Sequence, residues 1–349
     1  VTDEPGGGRR RSRPSGVPTI ADVAVAAGVS HATVSRVVNG LPTVQPAIAE
    51  RVREAIADLG YTPSNAARSL SLGVTRTIGM TVPDLANPMF QQVLHGLTRA
   101  AAADGYRVLV TDSQETLEEE LPLVLEARRR SDAVVLCAPR MAADALAELL
   151  PRVQPAVVIN RDLPEAAWVS VDYARGIRDL AEHLAGLGHR HLLHLAGPPT
   201  SSSQAARDRG LEQFRAAHPA VRVDRLVSGS TLDDGYAAGP AVRESGATGV
   251  LAFNDVVALG LLGRLREDGV AVPAEISVAG FDDVPVARFA SPPLTTAAVP
   301  QAEMGEAAWL ALRCALAGER MPGATVFTPA LVARGSTASP GAGSSRRRH

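Results

Sequence analysis

Lysine is absent from the 349 residues, so all 35 basic side chains are arginine, set against 37 acidic ones for a net charge of −2. Cysteine is nearly absent. With only Cys137 and Cys314, no disulfide framework holds the fold and no cysteine-rich zinc site can form, and both are read as small core residues. No stretch approaches the roughly 18 consecutive apolar residues of a membrane span, and no apolar signal segment follows the Gly- and Arg-rich start, so a cytoplasmic location is expected. Missing too are G-x-S-x-G, a phosphate-binding G-x-x-x-x-G-K, G-x-G-x-x-G after a strand, and H-E-x-x-H, so no enzyme is expected and no cofactor is implied.

What is present is a chain with 46% hydrophobic and 21% charged residues, the composition of a folded protein long enough for two or three domains. Its charge is unevenly placed. Between positions 9 and 72 stand eight arginines (Arg9, Arg10, Arg11, Arg13, Arg36, Arg51, Arg53, Arg68) against four acids, Asp22, Glu50, Glu54 and Asp58. The remainder is therefore net acidic, and a basic end ahead of an acidic body suggests that this end meets a polyanion.

Residues 1–17 and 336–349 are rich in Gly, Pro, Ser and Arg without apolar periodicity and read as a disordered arm and tail. Short helical patterns occupy 18–62, and 63–75 reads as a linker. From 76 to 335, apolar runs at 78–82, 107–110, 133–137, 156–159, 191–195, 250–253 and 276–279 alternate with amphipathic segments of helical length. That alternation predicts parallel sheets covered by helices, and so many units predict two doubly wound lobes, about 76–160 and 161–291, with a last strand and a helix over 301–317 crossing back after 292. A ligand cleft between the lobes is the default expectation for such sheets.

Within 18–62, Thr19-Ile20-Ala21-Asp22 has the form of a helix start, Gly28-Val29 makes a turn, and Ser30 can cap a second helix ending near Asn39-Gly40. Val34, Val37 and Val38 can face inward, leaving His31, Ala32, Ser35 and Arg36 on the opposite face. A third helix is expected over 47–59, with Ile48, Val52 and Ile56 on one stripe and Gly60 as its stop. This is a helix-turn-helix pattern, able to lay its second helix in a DNA major groove.

The segment TIADVAVAAGVSHATVSRVVN (19–39) resembles the DNA-binding signature of the LacI/GalR family of bacterial transcription regulators. The resemblance implies that His31 and Ala32 choose operator bases, and that Thr33, Ser35, Arg36 and Asn39, with Thr19 and Ser30 at the helix starts, contact bases or phosphate. Ala32 departs from members with a polar side chain there and offers only apolar contact, for instance to a thymine methyl. YTPSNAARSL (61–70) resembles the family's hinge. By that likeness Asn65, Ala67 and Leu70 belong to a short helix that pairs across a homodimer in the minor groove, with Leu70 wedged between base pairs. The likeness continues through VPDLANPMF (82–90), HLAGLGHRHLLHLAGP (183–198), FNDVVALG (253–260), SVAGFDDVP (277–285) and SPPLTT (291–296).

It implies an N-terminal all-α helix-turn-helix domain with a hinge helix, joined to an α/β two-lobed domain like the periplasmic sugar-binding proteins. Arg207 matches the effector-gripping arginine, Asp255 matches an acceptor from the second lobe, and Asp84, Asn87, Phe90, Arg161, Asn254 and Asp282 match other cleft positions. Arg207 and Asp255 are the favoured pair; Asn87 and Asn254 suit helix capping equally well. Ser230 stands where many sugar-binding relatives place an aromatic. His189, His191 and His194 are read as structural, with no carboxylate or cysteine to complete a metal site. The function implied is a repressor of carbohydrate genes, dimeric on a near-palindromic double-stranded operator and released by a sugar-like effector. A purine-like corepressor is the alternative, and a solute-binding receptor fits the body but not the helix-turn-helix.

Overall fold

In the computed structural model of the protein the described residues are 18–62, 74–163 and 167–341, so the arm and the hinge positions Asn65, Ala67 and Leu70 lie outside them. The chain divides into two compact units, residues 1–75 and 76–349.

The first unit contains α1 (Ile20–Ala27), α2 (His31–Val38) and α3 (Pro46–Leu59). Thr19 and Asp22 open α1, the Asp22 carboxylate accepting from the Thr19 backbone N–H and hydroxyl, both at 2.8 Å. Ser30 caps α2 by accepting from the Thr33 N–H at 3.2 Å. Helix α3 begins on Pro46, one residue before the expected start, because proline's fixed φ and missing N–H suit a first helical turn. Val23, Ala27, Val34, Val52, Ala55 and Tyr61 make the core, and Val37 and Val38 pack at its edge. The Arg51 guanidinium also donates to the Ala27 carbonyl at the end of α1.

The second unit is built on two parallel sheets. The first has the order β11-β5-β4-β3-β1-β2, from β1 (Thr77–Val82), β2 (Arg107–Asp112), β3 (Ala133–Cys137), β4 (Ala156–Ile159), β5 (Trp168–Val171) and β11 (Thr325–Phe327). The second has the order β7-β6-β8-β9, from β6 (His191–Ala196), β7 (Arg222–Val227), β8 (Gly249–Ala252) and β9 (Ser277–Ala279). Strands β10 (Thr296–Ala298) and β12 (Ala330–Val332) form a short antiparallel pair. The covering helices are α4 (Pro88–Ala103), α5 (Leu117–Arg129), α6 (Ala143–Val153), α7 (Tyr173–Gly186), α8 (Ser202–Ala217), α9 (Leu232–Ala237), α10 (Gly239–Glu244), α11 (Asp255–Glu267) and α12 (Gln301–Leu316).

All seven expected runs are strands. The first lobe, however, does not end at residue 160: β5 pairs with β4 in parallel, and β11 returns to pair with β5. Among the described residues no helix separates β4 from β5, so β5 breaks the strand–helix alternation that located the others. As expected, α12 crosses back to the first lobe and packs on α4. The two helices touch backbone to backbone at paired glycines: a Cβ on Gly96 would stand 2.0 Å from the Ala302 carbonyl oxygen, and one on Gly305 2.1 Å from that of Val93.

The tail also differs from expectation. Ser336 is wholly buried, its hydroxyl accepting from the Thr295 N–H at 2.8 Å and donating to the Val278 carbonyl at 2.6 Å. The backbone of Ala338 donates to the Ser277 hydroxyl at 3.0 Å, and Thr337 lies 3.0 Å from the His183 ring. Residues 336–338 are thus a strap bonded beside β9. A polar segment held by backbone and hydroxyl bonds leaves no apolar period to detect. Residues 342–349 lie outside the described part.

Candidate functional site

On the first unit the exposed face of α2 carries His31, Ala32 and Arg36, with Thr33, Ser35 and Asn39 half-buried beside them. Val34 anchors the opposite side in the core. The Ser30 and Thr33 hydroxyls lie 2.9 Å apart and the Asn39 amide donates to Ser35 at 3.4 Å, so these polar groups hold one another in place at the ends of α2. Thr19 is exposed at the start of α1. A helix presenting one imidazole, one guanidinium and a methyl is of a size and chemistry to read base edges in a major groove.

In the second unit the carboxyl ends of the parallel strands of both sheets converge on a small cavity. Asp84, Asn87 and Phe90 follow β1, Arg140 follows β3, and Asn160 follows β4; Ser230, Asn254 and Asp282 follow β7, β8 and β9. Helix caps hold several of these groups. Asn87 accepts from the Met89 N–H at 2.9 Å, and Asn254 accepts from the Val257 N–H at 2.8 Å while donating to the Ser230 carbonyl at 3.1 Å. Capping and lining the cavity are therefore not alternatives for these two residues.

At the centre lies Arg207, 1% exposed. Its guanidinium carbon sits 4.5, 4.6 and 4.2 Å from the ring centroids of Tyr173, Phe253 and Phe281. Among the described residues its guanidinium donates one hydrogen bond, to the Ser203 carbonyl at 3.1 Å, one turn back in α8, and its Nε has no partner. Asp282, also buried, holds an unusual backbone angle of φ 110°. Burial pushes its carboxyl up to about 7, with the Arg207 charge pulling the other way. Burial likewise raises Asp84. The cavity between these groups measures about 30 Å³, room for about two waters, so a larger ligand requires the lobes to part.

Two sequence expectations are not brought to this cavity. Asp255 is wholly buried, and its carboxylate accepts from the Thr296 hydroxyl at 2.7 Å and the Val284 N–H at 2.9 Å. As the first residue of α11 it turns away from the cavity that its neighbour Asn254 faces, and it braces the loop that carries Asp282. Arg161 reaches the Pro139 and Met141 carbonyls instead, steadying the loop after β3, and lines a separate outer pocket of about 390 Å³.

Sequence reasoning did not single out Asn160, Arg140, Glu115 or Tyr173, all of which line the inner cavity. Arg140 forms a two-pronged pair with Glu115, Nε to Oε2 and Nη2 to Oε1 both at 2.8 Å. Its loop is fixed by Glu120, whose carboxylate accepts from the Arg140 and Met141 N–H groups at 2.8 and 2.7 Å. The detectable signal for Asn160 was its place directly after an apolar parallel strand; its φ of 59° is one that Asn tolerates better than most residues.

Among the described residues no group of three or more His, Cys, Asp and Glu side chains could hold a metal ion, and no helix is long and apolar enough to cross a membrane. Each of the three histidines has a structural partner: His189 lies 2.8 Å from the Thr248 hydroxyl, His191 pairs with Asp224 at 2.9 Å, and His194 Nδ1 meets the Leu251 carbonyl at 3.0 Å. Burial brings His194 down to about 4, so it is neutral at physiological pH. Cys137 is in the core, whereas Cys314 is only half-buried.

Residues 19–64 match the model described as "Bacterial regulatory proteins, lacI family", and residues 181–337 match "Periplasmic binding protein-like domain". The HTH-type transcriptional regulator GalR of Salmonella typhimurium is 36% identical over 332 residues, 92% of this chain and 96% of that one. The HTH-type transcriptional repressor CytR of Escherichia coli K12 is 32% identical over 327 residues, 91% of this chain and 96% of its own length. Among solved structures, a lac repressor dimer bound to operator and the anti-inducer ONPF superposes with a TM-score of 0.81 at 28% identity, covering 92% of this chain and 99% of that one. A complex of the transcriptional regulator CelR with cellobiose gives 0.67 at 29% identity, covering 91% and 99%.

Proposed function

Since the chain belongs to the lacI family of bacterial regulatory proteins and is a DNA-binding transcriptional regulator, we propose that it represses carbohydrate-uptake or catabolic genes as a cytoplasmic homodimer released from its operator by a sugar. In this reading His31, Ala32 and Arg36 meet base edges, while Thr19, Ser30, Thr33, Ser35 and Asn39 position the helices on the phosphates. Asn65, Ala67 and Leu70 form the minor-groove hinge. The effector is held by Arg207, Asp282, Asn254, Asn87, Asp84 and Phe90, with Asp255 and Arg161 acting as positioning residues behind the site.

The observation that carries the effector reading is the pair of buried, oppositely charged groups Arg207 and Asp282 at the centre of the cleft. The guanidinium has an unused donor, and the carboxyl is pushed toward neutrality by burial. A buried polar group without a partner is costly, and a neutral polyol gives hydroxyls to both without adding net charge. The rings of Tyr173, Phe253 and Phe90 supply the apolar faces that C–H-rich sugar surfaces need.

The test is a thermal-shift screen of the full chain against monosaccharides, disaccharides, sugar phosphates and nucleobases, followed by operator binding with each hit. The expected result is a sugar that raises the melting temperature and weakens operator binding, with the shift lost in Arg207→Ala. A nucleobase that raises the melting temperature and tightens operator binding makes the protein a corepressor-dependent regulator instead.

A further inference from the structure

We propose that the outer pocket is the second half of the effector site, and that the effector is a disaccharide or similar uncharged glycoside, one ring between Arg207 and Asp282 and the other in the outer pocket. This rests on the sugar reading above and narrows it. The inner cavity of about 30 Å³ adjoins the outer pocket of about 390 Å³, and Asn160, Tyr173 and Ser203 border both. The outer volume alone lies within the range of pockets that hold small ligands, roughly 300–1,000 Å³.

The shared wall bears the mark of an unfilled contact. Asn160 is 5% exposed, yet its side-chain Oδ1 has no hydrogen-bond partner. Its backbone adopts a positive φ of 59°. A buried amide oxygen with nothing to accept from is expensive, and this one stands where a glycoside bridging the two cavities would present a hydroxyl.

The chemistry of the outer pocket points the same way. Its charged lining is Arg161 and Arg209 against Asp162 and Asp172, which balances and suits an uncharged ligand rather than a phosphate. Trp168, half-buried, adds an indole wall, and Ser170 adds a hydroxyl. An aromatic wall among hydrogen-bonding groups is the combination a pyranose ring uses. Ser230, by contrast, leaves the inner cavity without a ring at that position, so the aromatic wall for a second sugar is found in the outer pocket.

The test is calorimetric titration of the full-length protein with glucose, galactose, lactose, cellobiose and maltose, on wild type and on Ala205→Phe. Ala205 is an exposed lining residue of the outer pocket on α8, so a phenyl ring there intrudes on that pocket without touching Arg207. The expected result is a disaccharide that binds wild type at least about 10-fold tighter than its component monosaccharides and loses that margin in Ala205→Phe, while monosaccharide affinity stays within about twofold. As a second readout, tryptophan emission should change on adding the disaccharide and not the monosaccharide, because Trp168 lines the outer pocket whereas the other tryptophan, Trp309, is buried.

Monosaccharide binding as tight as any disaccharide, or disaccharide binding unaltered in Ala205→Phe, overturns the second subsite and leaves the sugar reading standing. Absence of binding by all five sugars counts against both.

Discussion

Replacing Arg207 with methionine tests whether the centre of the cleft is built for a ligand or for the fold. The arginine is 1% exposed and lies against three aromatic rings, and among the described residues its side chain makes one hydrogen bond and leaves Nε unpartnered. Methionine keeps most of the volume, so the cavity cost that would confound an alanine variant is avoided. Lost are the bond to Ser203 and the cation–π contacts, each worth about 0.5–2 kcal/mol. Recovered is the desolvation penalty of a buried ion, of order several kcal/mol, and a well-packed apolar replacement of such an ion is often neutral or stabilising by about 1–4 kcal/mol. Asp282 then loses its cationic neighbour and simply keeps its proton, since burial already holds it at about 7. The free variant should therefore melt at or above the wild-type temperature, whereas the effector-induced rise in melting temperature should vanish. The assay is thermal denaturation with and without the sugar hit. A fall beyond about 3 kcal/mol, or roughly 6 °C or more for a domain of this size, means that Arg207 is fully compensated in the free protein and refutes the reasoning.

Three further outcomes follow from the same structure. Folded Asp282 holds its proton up to about pH 7 whereas the unfolded chain releases it near 3.8, so its contribution to stability is complete below about pH 4 and is lost as pH rises through 7. Asp255 is raised by burial as well and acts in the same direction. In Asp282→Asn this fall, up to about 1.4 kcal/mol per pH unit, should be missing, so that the stability difference between variant and wild type changes with pH, and parallel curves would count against it. Gly96→Ala places a Cβ 2.0 Å from the Ala302 carbonyl, so α4 and α12 must separate, at a cost of about 1–3 kcal/mol or more in chemical denaturation; unchanged stability contradicts the contact. Ser336→Ala leaves the buried Thr295 N–H and Val278 carbonyl without its hydroxyl and should cost about 1–3 kcal/mol, whereas a disordered tail predicts no change.

The expected strands were legible because fully buried parallel strands are short apolar runs, and β3 (AVVLC) and β4 (AVVI) are apolar at every position. Strand β7 (RVDRLV) escaped notice because it lies at the edge of its sheet with alternating exposure, and β5 because no helix stands between it and β4 among the described residues. The helix-turn-helix was legible down to its caps, since Thr19 and Ser30 act locally. The cleft was legible by position but not by direction. Asn254 and Asp255 are adjacent, yet one faces the cavity and the other faces back into its lobe, because consecutive residues at a helix start point roughly 100° apart. Asn160 was missed for a related reason: its role depends on a positive φ and on two cavities meeting at it, and neither leaves a trace in residue order.

The buried charges also suggest how binding is coupled to DNA. With the lobes close together, the cavity is about 30 Å³ and both Arg207 and Asp282 are cut off from water, a desolvation cost that a ligand holding the lobes further apart relieves by supplying hydrogen bonds. An effector can shift the lobes only by its differential affinity for the two arrangements, and relief of that cost is such a difference. Arg207→Met removes the larger part of the cost without any ligand, so the variant should keep the lobes close together on its own. Its operator affinity should then stay at that of effector-free wild type and should not respond to added sugar. Operator affinity equal to that of effector-saturated wild type would mean that the lobes part without a ligand, and that coupling does not rest on the buried charge.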